Sequence, residues 1–345
     1  PATACAAVRG QWPGSGSLAL KPKCVVGLGL PPDLIASLEQ RYEVLAWSDT
    51  RPMPESTLQE WLIDARGLLC ALSTPITASL IERAQKLSVI STISVGVDHI
   101  DLSAASCAGI PVGHTPGVLI DSTADLTLGL MLAVTRRMAE ADRWVRGGHW
   151  ASGWQSDLLL GTDLSKATVG IVGLGPIGEA VVRRLTGFGC SVLAWNRTPK
   201  ALEGTQLVGL DEVFEQSDIV SLHTALNEET THIASAARLA SMRPGAALIN
   251  TGRGLLVDEA ALIRELSVGR LTAGLDVFTE EPLAANHPLL GLDNVVLLPH
   301  VGSATTATRL AMVHRAMSNL HAGMTGERLP YCANPNVYTA SPSRP

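Results

Sequence analysis

Residues 168–188 read TVGIVGLGPIGEAVVRRLTGF. The apolar run Thr168–Val172 has the length and β-branched content of a buried strand, and Glu179–Phe188 has helical spacing. Between them lies G-x-G-x-x-G, with Gly173, Gly175 and Gly178 as its glycines. In that strand-to-helix context the first glycine permits a tight turn, the second lets a pyrophosphate approach the backbone, and the third lets helix pack close on strand. The helix start, Pro176-Ile177-Gly178, would present free amides and the positive end of its dipole to the phosphates. A second strand, Ser191–Trp195, ends at Asn196-Arg197-Thr198. Sites selective for NAD carry Asp or Glu there to bind the ribose 2′-hydroxyl. With no carboxylate to repel a 2′-phosphate and a guanidinium beside it to pair with one, NADP(H) is the expected cofactor and NAD(H) the second option. An Arg197 that simply points into solvent is the alternative.

Further strand candidates follow at Ile219–Leu222, Ala247–Asn250, Ala273–Asp276 and Val295–Leu298. Six strands with intervening helices match one doubly wound dinucleotide fold. Upstream, Cys24–Leu28, Val44–Trp47, Gly67–Leu72 and Val89–Ser94 read as strands, alternating with helix-like Asp33–Gln40, Thr57–Ala65 and Thr77–Gln85. Such alternation builds a parallel sheet with right-handed crossovers. Asp121–Val145, free of proline and apolar at its start, predicts one long helix buried between domains or subunits. Thr305–Gly323 predicts a last helix, the sequence from Pro330 offers no periodic pattern, and the final fifteen residues are expected to lie extended. The expected fold is α/β with two doubly wound parallel-sheet domains. A Rossmann cofactor domain covers 119–301; a flavodoxin-like substrate-binding domain combines 22–118 with 302–336; 1–21 and 337–345 are tails.

The composition narrows the function classes. Of 345 residues 17% are charged, 46% hydrophobic and only 4% aromatic, an aliphatic balance that suits buried parallel strands. A formal net charge of -6 without a Lys/Arg cluster argues against nucleic acid or an anionic membrane as partner. The six cysteines, Cys5, Cys24, Cys70, Cys107, Cys190 and Cys332, form no C-x-x-C pair, so neither a zinc site nor a disulfide framework is expected and no metal ligand is assigned. The longest apolar stretch, around Leu126–Val134, is about half the ~20 residues that span a bilayer. Residues 1–20 have a composition shared by transit peptides and disordered tails, and the expected location is cytoplasmic.

Three strands of the second block end beside residues with chemistry to offer. Ala247–Asn250 is followed by Thr251-Gly252-Arg253-Gly254, Ala273–Asp276 by the segment containing Glu281, and Val295–Leu298 by Pro299-His300. Ligands bind outside the carboxyl ends of such strands, so Arg253, Glu281 and His300 are expected on one edge.

The motifs NTGRG (250–254), GLDVFTEEPL (274–283), NHPLL (286–290) and LPHVGSAT (298–305) occur here together with STISVGVDH (91–99) and TPGVLIDSTADLTLGLML (115–132). Over roughly residues 22–330 the chain resembles the D-isomer-specific 2-hydroxyacid dehydrogenases, in particular their glyoxylate/hydroxypyruvate reductase branch. The resemblance implies hydride transfer to small 2-keto acids, glyoxylate to glycolate and hydroxypyruvate to D-glycerate. Such a reduction needs a group to bind the carboxylate and a proton donor for the developing alkoxide. Arg253 would clamp the carboxylate with its planar fork, and His300 would give the proton. Glu281, bonded to the far nitrogen of His300, would fix its tautomer and favour reduction. By the same resemblance, backbone N–H groups at Val95 and Gly96 bind the substrate carboxylate, Asp276 lies near the nicotinamide, and Thr123, Thr224, Thr251 and Gly302 line the cofactor. The resemblance also implies a homodimer in which Trp154 reaches the partner subunit's substrate pocket. Three departures stand out: Pro176 where relatives often have arginine, Ala225 where proline is common, and one extra residue in Gly147–Trp154.

Two other readings remain open at this stage. One is a broader 2-ketoacid or 2-ketogluconate reductase, because pocket size depends on loop shape. The other is a non-enzymatic NAD(H)-sensing, corepressor-like binding protein, since relatives of that kind keep a similar triad.

Overall fold

The computed structural model describes residues 21–49 and 51–339. It consists of two compact units, Pro1–Val118 with Arg309–Pro345, and Leu119–Thr308. Residues 302–308, expected with the substrate domain, thus belong to the second unit. The backbone explains this: the amides of Val301 and Gly302 are bonded to Asp276 of that unit.

In the first unit β1 (Lys23–Val26), α1 (Pro32–Glu39), β2 (Glu43–Ala46), α2 (Glu55–Leu62), β3 (Gly67–Cys70), α3 (Ala78–Arg83), β4 (Val89–Thr92), α4 (Leu102–Cys107) and β5 (Val112–Gly113) alternate. The strands form a parallel sheet in the order β2-β1-β3-β4-β5, the flavodoxin-like arrangement. β3 and β4 are buried along their whole length: β3 is apolar rather than alternating, and the buried hydroxyls of Ser91 and Thr92 in β4 are hydrogen-bonded.

The second unit opens with α5 (Ile120–Thr135) and α6 (Met138–Arg146). Then follow β6 (Thr168–Val172), α7 (Pro176–Thr186), β7 (Ser191–Trp195), β8 (Gln206–Leu207), α8 (Leu210–Gln216), β9 (Ile219–Leu222), α9 (Ala236–Ser241), β10 (Ala247–Asn250), α10 (Glu259–Ser267), β11 (Thr272–Leu275) and β12 (Val295–Leu297). Seven parallel strands lie in the order β12-β11-β10-β9-β6-β7-β8, the doubly wound dinucleotide arrangement with one added strand. A final helix, α11, spans Thr306–Thr325.

The expected single helix over Asp121–Val145 is two helices. It breaks at Arg137, which takes a left-handed conformation (φ 52°) and folds its guanidinium onto Glu140. The carbonyl of Thr135 accepts the amide of Thr162 at 2.9 Å instead of continuing the ladder, so the crossing of residues 161–162 closes α5. α5 is buried within its own unit, against α7 and the sheet, and bare Gly274 lets Leu130 and Val134 approach β11. α6 buries none of its residues.

The short edge strands β5 and β8 and the helix α4 escape the sequence reading. Two-residue strands are too short for a periodic signal, and β8 is fully exposed. The segment after Pro330 is not simply extended: Cys332 bridges antiparallel to Gly113, and Pro335–Tyr338 forms a 3-10 turn. Among the described residues no helix is long and apolar enough to cross a membrane.

Candidate active site

The glycine turn after β6 has the shape its sequence requires. Gly173 has φ +104°, and a Cβ there would stand 2.9 Å from the carbonyl carbon of His223 and from Thr224 Cγ2. A Cβ on Gly178 would stand 2.0 Å from Gly173 O, so only glycine lets α7 start this close to β6. At Gly175 a Cβ would meet nothing within 4 Å, leaving open space at the N-terminus of α7. Pro176 at the first helical position has no N–H to leave unbonded, so the first free amides are those of Ile177 and Gly178.

Neighbouring side chains serve this turn. Asn196, just past β7, accepts the amide of Leu174 (2.9 Å) and donates to Thr198 O (2.7 Å), so its carboxamide braces the loop. Arg197 pairs with Glu229 at 3.0 Å, with both side chains 71% exposed. Thr224 Oγ1 is buried and has no hydrogen-bond partner among the described residues. An open cradle, unbonded helix amides and an orphaned hydroxyl fit a bound dinucleotide. Among the described residues no group of three or more His, Cys, Asp or Glu gathers where a metal ion could sit.

The carboxyl edge of the same sheet carries the charged residues. Asn250, the last residue of β10, accepts the amide of Gly252 (3.0 Å) and donates to Arg253 O (2.8 Å), shaping the turn that presents Arg253. A Cβ on Gly254 would lie 1.9 Å from the carbonyl carbon of Phe278, so the arginine turn rests directly on the backbone that leads to Glu281. Glu281 is held at both oxygens: Oε1 accepts the amide of Phe278 (3.0 Å) and Oε2 lies 2.7 Å from His300 Nδ1. Burial pushes the Glu281 carboxyl up, but the hydrogen bond and charge of His300, the Phe278 amide and the Arg253 charge outweigh it. The group ends below the usual carboxylate range, ionised beside an imidazole.

His300 sits in a left-handed conformation (φ 53°), unusual for a residue with a Cβ. Asp276, 1% exposed, accepts the next two amides, Val301 at 2.7 Å and Gly302 at 2.8 Å. Both of its oxygens are committed to the loop that carries His300. Burial raises the Asp276 carboxyl above its ordinary value, against the lowering effect of those two amides and of His300. A Cβ on Gly302 would crowd Asp276 and Thr123, and Thr123 Oγ1 donates to Gly302 O at 3.3 Å. Thr251 Oγ1 is 2.9 Å from Thr127 Oγ1. In this unit Thr123 and Thr251 are therefore parts of the brace around the two loops.

Of the remaining expected residues, Val95 and Gly96 follow β4 at the carboxyl edge of the first unit's sheet. Their amides and that of Val97 meet no acceptor among the described residues. Trp154 is 85% exposed and makes none of the contacts described above. Sequence reasoning misses Asn250, although it lies inside a quoted motif, and Glu259, whose carboxylate accepts the amide of Thr279 (3.2 Å) and faces His287 (3.3 Å). Glu259 acts on backbone 20 residues away, which no local pattern encodes, whereas Asn250 shapes the turn that immediately follows it.

Residues 128–302 match the family model described as the D-isomer specific 2-hydroxyacid dehydrogenase, NAD binding domain. The glyoxylate reductase of Thermococcus litoralis is 42% identical over 331 residues, covering 94% of this chain and all of that protein. The glyoxylate reductase/hydroxypyruvate reductase of Mus musculus is 42% identical over 310 residues, covering 87% and 94%. Among solved structures, the NADPH-dependent glyoxylate/hydroxypyruvate reductase of Sinorhizobium meliloti, in complex with NADP and malonate, superposes with TM-score 0.80 at 32% identity, covering 91% of this chain and 97% of that one. A doubly wound unit with an open glycine cradle, a His–Glu pair on the same sheet edge, and similarity over nearly the full length lead to one assignment: this chain belongs to the D-isomer-specific 2-hydroxyacid dehydrogenases and is an NAD(P)-dependent oxidoreductase.

Proposed function

We propose that this protein reduces small 2-keto acids with NADPH, glyoxylate to glycolate and hydroxypyruvate to D-glycerate, with His300 as the general acid. The observation that carries this reading is the 2.7 Å contact between His300 Nδ1 and Glu281 Oε2, beside Arg253 on the edge that holds the glycine turn. A bound reduced nicotinamide supplies the hydride. Arg253 binds the carboxylate and polarises the 2-keto oxygen through its planar fork. Glu281 keeps a hydrogen on Nδ1, so the proton His300 delivers is the one on Nε2. As the 2-carbon gains its hydrogen, the carbonyl π pair moves to oxygen and takes that proton, leaving neutral imidazole and the 2-hydroxy acid. Val95 and Gly96 bind the substrate carboxylate through their amides, and Asp276, Thr123, Thr224, Thr251 and Gly302 support the cofactor side.

The NADPH preference rests on Asn196 and Arg197. Asn196 is neutral at the position where a carboxylate would oppose a 2′-phosphate. The Arg197–Glu229 pair is solvent-exposed, and such pairs contribute at most about 1 kcal/mol, so the guanidinium can turn to a phosphate at little cost. The Sinorhizobium meliloti enzyme, described as NADPH-dependent, points the same way. We further propose a homodimer that covers α6 and carries Trp154 to the partner, and a cytoplasmic location in keeping with the free thiols of Cys24, Cys70, Cys107, Cys190 and Cys332.

The test is a panel of glyoxylate, hydroxypyruvate, 2-ketogluconate and pyruvate with NADPH and with NADH, on wild type, His300→Ala and Asn196→Asp. Glyoxylate and hydroxypyruvate with NADPH should give the highest kcat/KM. His300→Ala should lose at least ~100-fold in kcat, the usual contribution of a positioned acid, and Asn196→Asp should lower kcat/KM for NADPH relative to NADH. Undiminished turnover in His300→Ala would remove it as the acid, and an unchanged cofactor ratio in Asn196→Asp would defeat the NADPH assignment.

A further inference from the structure

The loop that follows β4 has three consecutive carbonyls, each held by a different donor. Ser94 O accepts the amide of Thr115 (2.8 Å), Val95 O accepts from His114 Nδ1 (3.0 Å), and Gly96 O accepts from Ser94 Oγ (2.7 Å). These peptide units are trans, so the C=O and N–H of each point in opposite directions. Holding a carbonyl therefore aims the N–H of the next residue. All three amides aimed in this way, those of Val95, Gly96 and Val97, meet no acceptor among the described residues. Consecutive unbonded amides at a partly exposed turn are an anion-binding arrangement.

The donors are themselves fixed. A carbonyl can only accept, so His114 carries its hydrogen on Nδ1. Its backbone is pinned on both sides: its amide donates to Tyr331 O (3.1 Å) and its carbonyl accepts from Asn319 Nδ2 (2.9 Å). The same logic orders the second donor. Because Ser94 gives its proton to Gly96 O, Thr92 Oγ1 must donate to Ser94 Oγ (2.8 Å), and His99 Nε2, 3.1 Å from Thr92 Oγ1, supplies the hydrogen that Thr92 accepts. Thr92 and Ser94 are buried, so water does not compete along this relay.

We propose that His114 and Ser94 are positioning residues for the carboxylate of the 2-keto acid, each holding a carbonyl of the 95–97 loop so that the Gly96 and Val97 amides face the anion. This rests on the reading of Val95 and Gly96 as the substrate-carboxylate loop and adds to it the side chains that orient them, with Val97 as a further donor. The imidazole Nδ1 and the Asn Nδ2 stand at the same number of bonds from Cβ, so asparagine is the conservative replacement for His114, whereas leucine keeps the bulk without the donor.

Steady-state kinetics with glyoxylate and NADPH on wild type, His114→Leu, His114→Asn and Ser94→Ala, with a thermal melt of each, test the assignment. A carboxylate contact is made equally in ground and transition states, so its loss raises KM and spares kcat. His114→Leu and Ser94→Ala should raise KM for glyoxylate about tenfold, as for one lost hydrogen bond to a charged group. Their kcat and KM for NADPH should stay within about twofold of wild type, and His114→Asn should recover most of the glyoxylate KM. An unchanged glyoxylate KM in His114→Leu and Ser94→Ala, a fall in kcat at constant KM, or a His114→Asn no better than His114→Leu would overturn it. Should His114→Leu fail to fold, Ser94→Ala decides alone. If wild type reduces no 2-keto acid with either cofactor, the proposed activity itself is wrong and this assignment falls with it; an active wild type with insensitive variants rejects the assignment alone.

Discussion

At the scale of single residues, His223 carries a consequence for acid stability. It lies between β9 and Thr224, its Nε2 is 2.9 Å from Ser221 Oγ, and burial pushes its imidazole down to about 4. In the unfolded chain the same group titrates near 6.5. Between those two values the unfolded state binds the proton and the folded state refuses it, so the neutral imidazole supports the fold fully above about pH 6.5 and the support is lost as pH falls toward 4. The difference amounts to about 3 kcal/mol at pH 4. Urea unfolding at pH 7 and pH 4.5 should show wild type losing more stability than His223→Gln, which has nothing to titrate there. An equal loss in both would mean that His223 is not the group responsible. The His300–Glu281 pair shows the opposite tuning: neighbouring cations hold Glu281 ionised despite its burial, and an ionised partner is what orients the imidazole.

At the scale of elements, the loops that carry Arg253, Glu281 and His300 are shaped by backbone contacts between strand ends. Asp276 closes β11 onto the loop after β12 with two amide bonds, and that clamp holds His300 at φ 53°. Such a conformation costs on the order of 1–3 kcal/mol and persists only where its surroundings over-determine it. Asp276→Asn replaces one accepting oxygen by an NH2 group that must face an N–H. We expect a loss of about 1–3 kcal/mol in urea unfolding, the usual cost of a buried donor left unsatisfied. A fall in kcat should accompany it as His300 leaves its position. A variant with wild-type stability and kcat would mean that the clamp does not hold the histidine. Gly254 makes the same point sterically, since any side chain there would drive the Arg253 turn off the backbone of Phe278.

For the whole molecule, six of the thirteen large apolar residues exposed among the described residues fall on one stretch of chain. Met138, Trp144 and Val145 lie on α6, and Trp150, Trp154 and Leu160 on the segment after it. Several large apolar side chains exposed together on one stretch of a chain mark an interaction surface. A second copy of the chain is the occupant the proposed function calls for, since Trp154 is 85% exposed on its own chain. Sedimentation equilibrium should give a dimer for wild type, and Val145→Glu should shift it toward monomer with a raised KM for the keto acid. A wild type that sediments as a monomer would remove both the dimer and the role of Trp154.

The alternation of the longer strands with helices, the glycine turn and the residues that end β10 and β12 are legible in the sequence, because periodicity and turn chemistry are local properties written in neighbouring residues. TVGIVGLGPIG needs no partner to be read as strand, turn and helix. Local sequence could not reveal the break at Arg137, the two-residue strands β5 and β8, or the clamps made by Asn250, Asp276, Glu259, His114 and Ser94. Each of these depends on a carbonyl or amide brought alongside by chain that is distant or that turns back on itself. Asp276 looks like a cofactor contact in its motif, and only the packing of β12 beside β11 gives its two oxygens the amides of Val301 and Gly302. Hydrogen-bond partners in a buried loop are decided by where the folded backbone passes, because every buried polar group must find one there.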